Sequence, residues 1–364
     1  MSADPRPVLF VTNHAPPSRV GAFRALHERE NVVFALVGGA LRHGGGAGGA
    51  SPEGFPVVAP DQRQVARMAA SGRYRAVVAG LSGRVALPAA YGGARRAGVP
   101  FVLWATIWAH PRTAAHAISY LPLRHLYRHA DAVVTYGEHV SEYVRGKGAH
   151  QTVVEAPQSV DDAFWSAPAE AIRRAPFQVM FVGRLTGEKG IEVLLRAWCA
   201  SGLSAPNAAL ALVGDGPIRA RTVATGAVSP EGPRTPEEVR NFYAGSDVVV
   251  LPSIPTRDFL EPWGLVVNEA FNQGVPVIAT DAVGAVAGGL VRHEQTGLVV
   301  PAGDAGALGA AIARLARDRE LRLRLGAAAR EAVRPFSHAA WAAGFSRGLA
   351  AVGASRGGEG GLLA

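Results

Sequence analysis

The chain has 364 residues, 48% hydrophobic and 18% charged, a globular composition with apolar surface for about two cores. Its single cysteine, Cys199, excludes an internal disulfide and a thiolate metal cluster, and no apolar run approaches the ~20 residues that a membrane-spanning helix needs. The net charge of +8 is almost all arginine, since lysine occurs only at Lys147 and Lys189; it suits an anionic substrate or surface, while no basic stretch interleaved with aromatics supports a nucleic-acid module.

Short β-branched runs alternate with longer Ala/Leu/Arg segments of helical period, the pattern of parallel sheets covered by helices on both faces. The first run, Val8–Val11, is too short for the apolar core of a secretion signal and reads as a strand, so a cytoplasmic location is expected. Further strands are predicted at Val32–Val37, Ala76–Val78, Phe101–Trp104, Ala132–Thr135 and Thr152–Ala156. An irregular polar stretch over 157–176 follows. Strands resume at Gln178–Val182, Leu210–Val213, Val223–Thr225, Val248–Leu251, Val277–Ala279 and Gly297–Val300. Two such series predict two doubly wound domains, 1–165 and 177–335, hinged near 157–176. Asp304–Val333 has an amphipathic helical pattern, Pro335 breaks it, and Ser337 opens a last helix over Ala339–Val352. Gly44, Gly46 and Gly49 match a dinucleotide-binding fingerprint only formally, because they follow the second strand and no helix opens from them.

Open α/β sheets bind ligands outside the carboxyl ends of their strands, so the motifs there matter most. In the second series Val182 is followed by Gly183-Arg184, then by Glu188-Lys189-Gly190 at a helix entrance. Gly183 permits close backbone approach, and the planar fork of Arg184 with the compact charge of Lys189 suits two adjacent phosphates. Gly214-Asp215-Gly216-Pro217 is a second glycine turn at the same edge. Pro252 then ends a strand, and a helical pattern starts at Gly264, with Glu261 before it and Glu269 inside it. The amides of Gly264, Leu265 and Val266 form a helix N-terminus suited to an anion, and a carboxylate on each side suits vicinal hydroxyls. A ligand with both phosphate and hydroxyls, such as a sugar nucleotide, meets both demands.

In the first series His14 and Arg19 follow the first strand, while Thr106 and His110 follow the fourth, where His110 could meet a sugar hydroxyl. There is no H-E-x-x-H, Cys/His cluster or G-x-S-x-G elbow, so neither a metal site nor a serine triad is expected.

Together these residues resemble family 4 of the retaining glycosyltransferases. The resemblance rests on Val182-Gly183-Arg184 with Glu188-Lys189-Gly190, on Val213–Pro217, and on Ser246-Asp247 through Pro252-Ser253. It rests further on the E-x7-E spacing of Glu261 and Glu269, on Gly274–Ala279 and on Gly297–Pro301. It covers 178–335 and touches the N-terminal half only loosely. It implies the GT-B fold, an α/β architecture of two facing Rossmann-like doubly wound parallel-sheet domains with an interdomain cleft. In that scheme Arg184 and Lys189 bind the donor diphosphate, Glu261 the donor sugar with the backbone of Trp263 to Leu265, and Glu269 the ribose. Gly183, Gly214, Asp215, Gly264 and Val266 line the same pocket. The N-terminal domain takes the acceptor, and a last helix, 336–353, crosses back to it. Asn13–Arg19 replaces the family's glycine-rich first loop, and either His110 or Thr106 fills the place of its N-terminal histidine.

The implied reaction moves a hexose-type sugar from a nucleotide-diphosphate sugar, UDP or GDP, to a hydroxyl of a glycan, glycolipid or small-molecule acceptor. No further cofactor and no metal is expected. No carboxylate is placed as a nucleophile on the far face of the sugar, unlike the pair in retaining glycosidases, so front-face transfer with retention is expected. Arg184, Lys189 and the helix amides would stabilise the leaving diphosphate. A sugar-nucleotide epimerase and a non-catalytic sugar-nucleotide-binding protein of the same architecture are the alternatives. Arg95-Arg96 and the basic segment Arg124–His129 leave open peripheral association with the inner face of a membrane.

Overall fold

The computed structural model describes residues 4–38, 54–80, 85–219 and 228–356. The chain forms two compact units, one of Met1–Asp161 with Ser337–Ala364 and one of Asp162–Phe336. Gly44–Gly49 and Val223–Thr225 lie outside the described residues.

The first unit holds a seven-stranded parallel sheet in the order β3-β2-β1-β4-β5-β6-β7. Its strands are β1 (Val8–Thr12), β2 (Val32–Leu36), β3 (Val57–Val58), β4 (Ala76–Gly80), β5 (Phe101–Trp104), β6 (Ala132–Thr135) and β7 (Thr152–Glu155). Helices α1 (Pro17–Glu30), α2 (Gln62–Ala69), α3 (Ala86–Ala97), α4 (Ala114–His129) and α5 (Glu138–Gly146) connect them. The central strands are buried along their whole length, as continuous apolar runs between two helical layers must be. Phe23 of α1 stacks on Phe34 at 4.4 Å, and Phe10 lies 5.3 Å from Phe345, which comes from the far end of the chain.

The second unit carries a six-stranded parallel sheet in the order β10-β9-β8-β11-β12-β13. It comprises β8 (Phe177–Val182), β9 (Ala208–Val213), β10 (Val228–Gly232), β11 (Val248–Leu251), β12 (Val277–Thr280) and β13 (Gly297–Val300). Its helices are α6 (Asp162–Ser166), α7 (Ile191–Ala200), α8 (Pro236–Ala244), α9 (Val266–Asn272), α10 (Gly284–Ala287), α11 (Ala305–Arg317) and α12 (Arg319–Ala332). The amphipathic region before Pro335 is thus two helices, parted at Asp318, whose carboxylate accepts from the Leu321 amide to start α12.

Residues 162–176, irregular in sequence, are folded onto the second unit. Trp165 packs edge-on to Tyr243 at 5.8 Å, and Arg173 and Arg174 pair with Asp247 and Glu231, each at 2.8 Å. The last helix, α13 (His338–Ala351), belongs to the first unit. Gly21 and Gly344 permit its approach: a Cβ on Gly21 would stand 2.4 Å from the His338 ring, and one on Gly344 2.5 Å from Ala156. No helix among the described residues is long and apolar enough to cross a membrane.

Candidate active site

At the carboxyl edge of the second sheet the backbone is packed to a density that only glycine permits. Gly183 follows β8 and Gly214 follows β9, with φ of 145° and 133°. A Cβ on Gly214 would lie 1.9 Å from the Gly183 carbonyl oxygen. The short 3-10 turn Gly187–Lys189 then ends at Gly190, φ 71°, whose Cβ would lie 1.9 Å from the Pro252 carbonyl oxygen. The Ile254 amide also donates to the Glu188 carbonyl at 3.0 Å. The loops after β8, β9 and β11 therefore form one layer.

Into this layer project Lys189 and Glu261. The Lys189 ammonium pairs with the Glu261 carboxylate, and the Ser253 hydroxyl donates to the same carboxylate oxygen at 2.9 Å. Ser253 is fully buried and Glu261 is 6% exposed. Phe259 stands over the ammonium, 5.2 Å from its ring centroid. Glu261 is held by its backbone as well, through a parallel bridge to Val283 and a bond from the Gly284 amide to its carbonyl at 3.0 Å. Thr280 ties the other side, donating to the Ser253 carbonyl at 2.5 Å.

Arg184 differs from Lys189 in being exposed, with Glu188 at 3.2 Å as its partner. Glu188 sits below the usual carboxylate range. Burial works to raise it but is outweighed by hydrogen bonds from its own amide and Thr186 and by the charges of Arg184 and Lys189. Asp215 is exposed at the neighbouring turn, where it accepts from the Gly216 amide at 2.8 Å.

Helix α9 begins at Val266, two residues later than its sequence pattern suggests, because Gly264 adopts φ 94° to turn the chain. No side chain caps this start, and the Val267 amide donates to the Gly264 carbonyl at 3.0 Å. Trp263 does not offer its ring to a ligand: it is buried, donates from Nε1 to Asn268 at 2.7 Å and packs on Phe336 at 5.6 Å. Only its backbone remains for the role expected of it. Glu269 lies in the first turn of α9, half-buried, and accepts from the Tyr243 hydroxyl at 2.7 Å. Withdrawal from water pushes its carboxyl up to about 7, against the opposing pull of that hydrogen bond.

The structure thus brings Lys189 together with Glu261 and Ser253, and Glu269 together with Tyr243. Ser253 stands inside a motif readable in sequence; Tyr243, 26 residues from Glu269, carried no sequence signal. His110 and Thr106 lie in the first unit on the loop after β5, where the His110 ring meets Tyr120 edge-on at 5.2 Å. Among the described residues no three of His, Cys, Asp or Glu converge as a metal site.

Residues 176–318 match the family described as Glycosyl transferases group 1. The GDP-mannose-dependent alpha-mannosyltransferase of Mycobacterium tuberculosis is 33% identical over 239 residues, 59% of this chain and 58% of that one. The D-inositol 3-phosphate glycosyltransferase of Corynebacterium glutamicum is 36% identical over 191 residues, covering 46% and 42% respectively. The chain spans about half the length of the curated relatives it matches. In fold it is similar to Anabaena HepE, crystallised with UDP and glucose, with a TM-score of 0.72 at 18% identity over 95% of this chain and 99% of that one. Residues 176–318 are therefore a glycosyl transferases group 1 domain, in a chain with the GT-B fold.

Proposed function

We propose that the chain is a retaining glycosyltransferase that moves a hexose-type sugar from a nucleotide-diphosphate sugar to an acceptor hydroxyl. The observation that carries this reading is the Lys189–Glu261–Ser253 cluster, held beside the uncapped start of α9 in a group 1 domain. Relatives named for mannosyl and inositol-phosphate glycosyl transfer, and a neighbour crystallised with UDP and glucose, support the donor class.

On this reading the internal ion pair gives way to substrate contacts. Sugar hydroxyls donate to Glu261, and the freed Lys189 ammonium turns to the diphosphate with the exposed Arg184. Charge grows on the diphosphate as the glycosidic bond breaks, so these cations and the α9 amides act more strongly in the transition state than in the ground state. Glu269, oriented by Tyr243, takes the ribose hydroxyls. Departure and attack on the same face of the sugar then retain the anomeric configuration.

The test is transfer from UDP- and GDP-hexoses to a panel of hydroxyl acceptors, with the product anomer read by NMR. A retained anomer is expected, and Arg184→Ala should lower turnover at least about 100-fold with an unchanged melting point. Near-normal turnover in that variant, or isomerised sugar nucleotide from donor alone, would overturn the assignment.

A further inference from the structure

We propose that Arg19 anchors an anion subsite in the first unit, built for an oxyanion carried by the acceptor. Only the word acceptor rests on the glycosyltransferase reading; the anion site does not.

Arg19 is the third residue of α1 and is 9% exposed. Its Nη2 donates to Gln158 Oε1 at 2.5 Å and to the Tyr136 hydroxyl at 3.1 Å. The guanidinium stands 5.0 Å from the Trp104 ring and 5.5 Å from the Tyr136 ring. Its Nη1 is buried with no acceptor. No carboxylate pairs with it among the described residues, whereas the other deeply buried arginine of this unit, Arg75, has Glu30 at 2.8 Å. Buried charges are ordinarily paired, because neutral partners do not offset the lost hydration of a full charge.

The position gives this charge a use. Trp104 ends β5, Tyr136 follows β6 and Gln158 follows β7, so Arg19 sits at the carboxyl edge of the sheet, where open α/β sheets take ligands. The α1 N-terminus adds the positive end of a 14-residue dipole, with no acidic residue in its first turn and no side-chain cap. Aromatic walls lower the local dielectric and strengthen attraction for an arriving anion. The unsatisfied N–H arm is the donor such a group would engage.

Inorganic phosphate is the probe, titrated at constant ionic strength while the melting point is followed, on the full-length chain. Cations of the second unit are silenced by Arg184→Ala with Lys189→Gln and Glu261→Gln. In that background phosphate should still raise the melting point. Adding Gln158→Glu supplies the missing carboxylate 2.5 Å from Nη2. It should raise the melting point without phosphate and weaken phosphate binding at least about tenfold, by internal charge neutralisation. Because this variant is expected to fold at least as well as its parent, lost binding cannot be ascribed to unfolding. The proposal is overturned if the phosphate effect vanishes on silencing the second unit, or survives Gln158→Glu unchanged. A wild-type chain that binds no sugar nucleotide but keeps a Gln158-sensitive phosphate effect would refute the donor reading and uphold this site.

Discussion

The pairing of Lys189 with Glu261 makes the two side chains interdependent, because removing either strands the other's charge in a largely dry setting. Lys189→Ala should therefore cost about 1–3 kcal/mol of stability as well as activity, less than a fully buried pair because the lysine keeps some exposure. Denaturant titration beside Lys189→Gln/Glu261→Gln, which leaves no stranded charge, checks this: the double variant should recover most of the loss. Glu269 yields a pH prediction. Its folded pKa, about 7, lies above the ordinary value, so its contribution is fully present near pH 4.5 and is lost as pH rises through 7. Glu269→Gln should melt close to wild type at pH 5 and above it at pH 8; equal melting points at both values would contradict the assigned burial. Among residues, Arg184, Lys189, Glu261 and Glu269 were legible from their strand-end motifs. Tyr243 and the neutral setting of Arg19 were not, since both depend on contacts between segments 26 to 139 residues apart.

At the scale of elements, glycine spacing is what lets three loops share one layer. Gly190→Ala and Gly214→Ala each require a left-handed or extended positive φ and a Cβ 1.9 Å from a carbonyl oxygen, so each should lower stability by about 2 kcal/mol or more. Gly187→Ala, with nothing near its Cβ, is the control expected to change little. The strands that sequence made plain are those with continuous apolar runs buried on both faces, Ala-Ala-Leu-Ala-Leu-Val in β9 and Val-Val-Val-Leu in β11. Two edge strands escaped for physical reasons: β3 has only Val57 and Val58, and β10 reads Val-Ser-Pro-Glu-Gly, where a proline is tolerated only because one side of the strand is unpaired. The start of α9 was placed early because Gly264 serves the turn rather than the helix.

The first unit of the molecule is completed by the end of the chain. Trp341 and Phe345 of α13 are fully buried in its aromatic core, and Arg75 joins Glu30, the carbonyls of Arg6 and Ala354, and through Glu30 the Arg356 amide. Arg75→Met should cost about 3–5 kcal/mol, as breaking a buried pair does. A chain ended after Phe336 should lose the melting transition of the first unit while the second, whose core lies within 177–325, retains its own. A single undiminished transition would contradict that division. On the proposed reading the second unit binds a nucleotide-diphosphate sugar through Arg184 and the cluster around Glu261. Calorimetric titration of wild type and Arg184→Ala with UDP- and GDP-hexoses tests it most directly. One saturable site per chain, at least tenfold weaker in the variant, is the result expected; no binding of any such donor, or equal binding by both proteins, is the result that would contradict it.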